Sequence, residues 1–316
     1  MENVEEKVAF ITGGASGIGL GIAKVFARNG MKVVIADSRQ DALDEAMGYF
    51  KETGEPVHPI RLDVTDREAY VRAADEAEKI FEKIHVLVNN AGVASGGPFG
   101  KITFNDWDYS ISVNITGVVN GLVIILPRIQ AHGEGGHVIA TSSTAGLAAV
   151  NGNIIYNTTK YAVCAMMETL AGDLDGTGVG ASVLIPGPTT TNLGPSSFAN
   201  RPEHLKNEGQ EWPPRPPQPK DGEAPRRPMF DTSVFMDPVE TGERVLRGIK
   251  RNDIFIHTHS EFREGYIARH EAVIRAIPDE PRNEKRWEIV KNFGTLIYNP
   301  VYERQTTPGP PDWNTD

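Results

Sequence analysis

Tyr156 and Lys160 stand four residues apart in the run YNTTKYAVCAMMETL. On a helix that spacing puts both side chains on one face, so an ammonium would lie a few ångströms from a phenol. A neighbouring cation stabilises the phenolate, draws the phenol pKa down from about 10 towards working pH and makes the tyrosine a usable general acid or base. In a chain with 8 tyrosines such a pair also arises by chance about one time in three or four, so the spacing needs support. Ser142 and Ser143 give it, because they end an apolar run just upstream, at the C-terminal strand edge where open α/β sheets bind ligands.

A second constellation lies near the start. In VAFITGGASGIGLGIAKVF, Gly13, Gly17 and Gly19 fall between a β-branched run and a helical pattern. Without Cβ atoms the backbone can approach a pyrophosphate, whose charge then faces a helix N-terminus. Any strand-to-helix turn uses glycine, so position after the first strand is what gives the trio weight. Asp37 ends the second apolar run, VVIAD, where a carboxylate can accept hydrogen bonds from the hydroxyls of an adenosine ribose and repel a phosphate. That favours NAD over NADP, although Arg39 could offset the charge, and Asp37 could instead be a helix cap. Asp63 and Val64 follow the third run, beside where an adenine would sit; Asp63 could equally be a turn residue.

These residues need a scaffold, and the chain supplies a rhythm. From residue 7 to 185 short β-branched runs alternate with longer segments of helical apolar spacing. Strands are expected near 8–12, 32–36, 57–62, 85–89, 136–142 and 181–185, apolar on both faces and therefore buried between two helix layers. The pattern predicts an α/β fold, a doubly wound Rossmann-type parallel sheet of about seven strands with helices on both faces. After residue 185 the rhythm breaks. Residues 192–237 read either as a lid over the site or as a polyproline ligand, with seven of the sixteen residues from 213 to 228 being proline. Pattern returns as a helix over 238–250, a strand over 253–257, a helix over 261–277 with Phe262, Tyr266, Val273 and Ile277 along one side, and a helix over 284–298. One domain over 1–316 is expected, with a core over 7–191, a substrate loop over 192–237 and an extension over 238–316.

Composition removes several classes. The net charge of -10 repels phosphate backbones, which argues against nucleic acid. The segment 1–7 is acidic and the longest apolar run, near 118–127, is interrupted by Asn120 and Gly121 and too short to span a bilayer, so a soluble cytoplasmic protein off the membrane is expected. The single cysteine, Cys164, excludes an internal disulfide and reads as a buried helix residue. His257 and His259 lack a nearby ligand set, and no metal is assigned.

TGGASGIG at 12–19, NNAG at 89–92, Asn114, SSTAG at 142–146, YNTTK at 156–160 and PGPTTT at 186–191 occur in one order. In that order they resemble the short-chain dehydrogenase/reductase family. The resemblance covers about 7–191 plus the helix and strand at 238–257, and it implies a nicotinamide-dependent hydride transfer between a secondary alcohol and a ketone. It implies that Tyr156 exchanges the proton and Lys160 lowers its pKa and binds the nicotinamide ribose. Ser143, the second of the serine pair, would bond the reacting oxygen while Ser142 faces away by strand alternation. Asn114 would hold a relay water through its backbone carbonyl. Gly13, Ser16, Gly17, Ile18, Gly19, Asn90, Ala91, Gly92, Pro186, Gly187, Thr189 and Thr191 would contact the cofactor, although the family often has Val or Ile where Thr189 stands. A homodimer or homotetramer is implied too. The tract EFREGYIARHEAVIRAIP further resembles the subgroup of bacterial Cα-dehydrogenases of lignin-derived aryl ethers, which points to a bulky hydrophobic or aromatic small-molecule substrate. An NADP-dependent reductase or epimerase, or a non-catalytic NAD-binding regulator, are the competing readings.

Overall fold

Strand alternation sorts the apolar residues onto two faces. In β1 (Val8–Thr12) of a computed structural model, which describes residues 1–97, 99–209, 231–296 and 299–308, Ala9 and Ile11 enter one core and Phe10 the other. β2 (Lys32–Asp37) divides in the same way, with Val33 and Ile35 opposite Val34 and Ala36. Strands β3 (Val57–Arg61), β4 (Val86–Asn89), β5 (Gly136–Thr141), β6 (Val179–Ile185) and β7 (Phe255–His257) complete one sheet in the order β3-β2-β1-β4-β5-β6-β7, every pairing parallel. The expected doubly wound, seven-stranded Rossmann-type fold is the fold observed.

Each face has its own helices. On one, α1 (Gly17–Arg28), α2 (Gln40–Thr53) and α8 (Pro238–Arg251) bury Phe26, Phe50 and Val245. On the other, α3 (Arg67–Phe81), α5 (Gly117–Ala131) and α6 (Ile154–Asp173) bury Tyr70, Ile125 and Met167. Chain order reverses between β1 and β4, which opens a crevice at the strands' C-terminal ends. The loops after β1, β4, β5 and β6 therefore converge there.

Two features depart from the sequence expectation. α4 (Phe104–Ile111) continues through a π turn, Ser112–Thr116, into α5, so 104–131 is one helix, long and apolar enough by length and composition to cross a membrane. The run at 118–127 is thus part of a longer stretch than expected. Its inward side carries buried Asn114 and Asn120, and Asn120 Nδ2 donates to Val64 O at 2.8 Å, as in a helix packed in a protein core.

Beyond β7, α9 (Arg263–Arg275) and α10 (Glu284–Val290) bury no residue, and α10 ends well short of 298. The expected stripe does not form a core face: Val273 and Ile277 are more than half exposed, because charged residues are interleaved around the helix. The chain then returns to the sheet edge, where Gln305 bonds the backbone of Phe255 and Thr306 bonds Asp253.

Candidate active site

The loop after β5 begins with the two serines, and they point apart. Ser142 is buried; its Oγ donates to Lys160 O at 2.8 Å and accepts from Cys164 Sγ. Ser143 starts a 3₁₀ turn, its Oγ accepting from Ala145 N at 3.2 Å, and its hydroxyl lowers the pKa of the Tyr156 phenol. Tyr156 and Lys160 share the face of α6 that looks into the crevice, with Lys160 Nζ 5.6 Å from the Tyr156 ring centroid. The ammonium is fixed from below by Thr141 O at 2.9 Å.

Electrostatics here differ from the expectation in one respect. Burial raises the Tyr156 phenol, and the group that pulls it back is the Ser143 hydrogen bond rather than Lys160. Lys160 is itself destabilised as a cation, its pKa lowered to about 8 by burial. Burial thus moves the two groups in opposite directions, the phenol up and the ammonium down.

Asn114 sits in the middle of the π turn and is 1% exposed. Its side chain ties the loop after β4 to α6: Oδ1 accepts from Val93 N at 2.8 Å, while Nδ2 donates to Val93 O and Thr159 Oγ1. In the π turn Gly117 N–H donates to Ser112 O, five residues back, which breaks the usual ladder of carbonyls beside Asn114. Gly92 lies between the two groups, where a Cβ would stand 3.3 Å from Asn114 Oδ1 and 3.5 Å from Lys160 Nζ.

The other end of the crevice is a cradle. Gly13 and Gly17 have φ of 61° and 52°, conformations that favour glycine. A Cβ on Gly19 would lie 2.1 Å from Gly13 O, so only glycine lets the turn close on the start of α1. Thr12 Oγ1 accepts from the backbone of Asn90 and Ala91, and Asn90 Nδ2 donates to Thr12 O and Gly13 O, joining the two loops at the switch point. Asp37 is buried beside them, with Arg39 Nε 3.5 Å from its Oδ1 and Arg39 Nη2 donating to Ser16 Oγ at 2.7 Å. From Asp37 to Tyr156 runs one cleft of about 1550 Å³, counting the space open to solvent at its mouth.

The chain matches the short chain dehydrogenase family over residues 7–202. It is a short-chain dehydrogenase. This dehydrogenase is 36% identical over 281 residues, 88% of each chain, to C alpha-dehydrogenase from Sphingobium sp. (strain NBRC 103272 / SYK-6). It superposes on apo LigO from Sphingobium sp. strain SYK-6 with a TM-score of 0.74 at 38% identity, covering 98% of this chain and 100% of that one. Against a short chain dehydrogenase/reductase from Burkholderia phymatum in complex with NAD, the TM-score is 0.76 at 31% identity, over 90% and 100% of the chains.

Within this dehydrogenase the residues expected from sequence fall into two groups. Gly13, Ser16, Gly17, Ile18, Asp37, Asp63, Val64, Asn90, Ala91, Gly92, Pro186 and Thr191 line the cleft with Tyr156 and Lys160. Ser143 and Asn114 are not in the lining, and Ser142, expected to face away, lines the cleft instead, while Gly19 lies behind it, packed on Gly13. Gly187 and Thr189 lie off it too: Gly187 packs against His259 and Phe262, and Thr189 is buried with its Oγ1 donating to Gly187 O. Asp63 is also the turn residue of the alternative reading, since its Oδ1 accepts from Thr65 N and Thr65 Oγ1.

His257 packs on the Tyr266 ring and His259 bonds Thr258. Elsewhere His85, His132 and Glu134 bring ligand atoms within 4.8 Å of one another, but Lys7 and Lys83 both pair with Glu134 there. Sequence reasoning missed Tyr109, Ser112 and Val113, which line the cleft from α4 and the π turn. The Thr103 to Asp106 spacing, a capping box at the start of α4, was the available signal for a helix there.

Proposed function

We propose that this dehydrogenase uses NAD to move a hydride between a secondary alcohol, bulky and hydrophobic or aromatic, and the corresponding ketone, with Tyr156 as general base and acid. The observation that carries this reading is Tyr156, with Lys160 Nζ 5.6 Å from its ring centroid, in one cleft with Asp37. A bound nicotinamide supplies the two-electron acceptor, and the protein's work is orientation and the proton. In oxidation Tyr156 takes the hydroxyl proton while Ser143 holds the oxygen that becomes the carbonyl. Lys160 would hold the nicotinamide ribose and keep a positive charge beside the phenolate, and the backbone carbonyl of Asn114 would hold a water that passes the proton on towards solvent.

Asp37 supports NAD, since its carboxylate suits ribose hydroxyls and repels a 2′-phosphate. Arg39, bridging Asp37 and Ser16, is the observation behind a second reading, an NADP-dependent reductase or epimerase. The apolar cleft wall of Val93, Val113 and Leu193 supports a hydrophobic substrate, in keeping with the C alpha-dehydrogenase relative. Exposed Val119 and Val123 on α5 support a homodimer or homotetramer, and the single cysteine, Cys164, suits a reducing cytoplasm. Fluorescence titration with NADH and NADPH, followed by a screen of secondary alcohols for NADH formation, tests the reading. Tighter NADPH binding overturns the cofactor, and no turnover of any secondary alcohol overturns the substrate class.

A further inference from the structure

Asp106 is a carboxylate buried far from any phosphate or substrate role already described, and its two oxygens serve two different elements. Oδ2 accepts from Thr103 N at 2.8 Å and from Thr103 Oγ1, capping α4. Oδ1 accepts from Arg201 Nη1 at 2.7 Å and from Asn207 Nδ2 at 2.9 Å. Both partners lie in the segment after β6, which starts with α7 (Leu193–Ala199) and forms one wall of the cleft. The ion pair is nearly dry, with side chains 3% and 6% exposed. One helical turn further along α4, Tyr109 faces the Arg201 guanidinium at 5.4 Å and donates from its hydroxyl to Ser197 O at 2.9 Å. Arg201 Nε closes the set by donating to Leu205 O.

Surface ion pairs contribute little, whereas a buried charge stripped of its partner is strongly unfavourable. A pair of this kind therefore specifies one arrangement of 193–207 and penalises the others. The segment it fixes carries Leu193, Ser196, Asn200, Pro202 and Leu205 into the lining of the cleft that Tyr156 also lines.

We propose that Asp106 and Arg201 are positioning residues that lock the substrate wall of the cleft against α4 and so set substrate affinity without taking part in chemistry. This rests on the cleft being the substrate site of the proposed reaction. The lock acts through Asn200, Pro202 and Leu205, and the cofactor cradle at Gly13, Asp37 and Asn90 lies on other loops.

The test compares the full-length protein with Arg201→Gln and with the conservative Arg201→Lys, each bound to NADH. Amide hydrogen exchange in 193–207 should rise at least tenfold in Arg201→Gln and by less in Arg201→Lys, with α6 unchanged and the NADH Kd within twofold. With 1-phenylethanol and NAD, KM should rise at least tenfold in Arg201→Gln, partly recover in Arg201→Lys, and kcat should hold or increase. Wild-type exchange in 193–207 overturns the lock, as does faster exchange spread over the whole protein, which marks general destabilisation. Raised local exchange with an unchanged KM overturns the role in substrate affinity. If the wild type turns over no secondary alcohol, the proposed reaction fails while the exchange comparison still decides the lock.

Discussion

At the residue scale the account turns on how one phenol is made to ionise in a dry pocket. Burial opposes the phenolate and Ser143 favours it, so Ser143→Ala should move the rising limb of alcohol oxidation to higher pH and lower kcat by about 10²–10³, the usual loss for a donor at a reacting oxygen. An unshifted limb in a pH–rate profile would argue that Ser143 only caps its turn. Asp37→Ala should weaken NADH at least tenfold relative to NADPH, read by fluorescence titration. Tyr156, Lys160 and Asp37 were legible because their chemistry follows from type, spacing and the strand they follow. The reach of Lys160 was not, since whether an ammonium sits on the phenol or on Thr141 O depends on side-chain packing that spacing leaves open.

At the element scale, backbone geometry does what side chains alone cannot. Gly19→Ala puts a Cβ 2.1 Å from Gly13 O, so the turn must open. The expected result is at least a tenfold weaker NADH Kd with the thermal midpoint little changed, because the cradle is a loop above an intact core. An NADH affinity equal to wild type would show that the turn adapts freely. The glycine turn was readable in sequence because positive φ leaves glycine as its trace. The π turn was not, because a single i→i+5 step in a continuous helix leaves the 3.6 period almost undisturbed. Nor were the places of Gly187, packed against His259 and Phe262, and of Thr189, bridged to Met236, both set by a distant part of the chain.

At the scale of the whole molecule, the parallel sheet was the most legible feature, since strands buried on both faces must be apolar throughout. One exception inside it has a consequence for stability. His137, on β5, is fully buried with Nε2 2.7 Å from Ser182 Oγ, and burial lowers its pKa to about 3. Below its ordinary value of 6.5 the unfolded chain binds a proton that the folded chain refuses, so stability falls as pH drops from about 6.5 towards 3. The slope from this group approaches about 1.4 kcal/mol per pH unit. Urea midpoints measured between pH 6.5 and 4 should therefore flatten in His137→Val relative to wild type, and parallel slopes would refute this origin of acid sensitivity. The C-terminal helices were the least legible part, because their apolar residues suggest a face that the fold does not cover.

The most direct measurement is a single turnover of Tyr156→Phe, mixing the variant and the wild type with NAD and a secondary alcohol that the wild type oxidises, with NADH absorbance as the readout. The account predicts NADH binding within about threefold of wild type and hydride transfer slowed by at least about 10², the range that a positioned acid/base contributes. Transfer within a few-fold of wild type would contradict it.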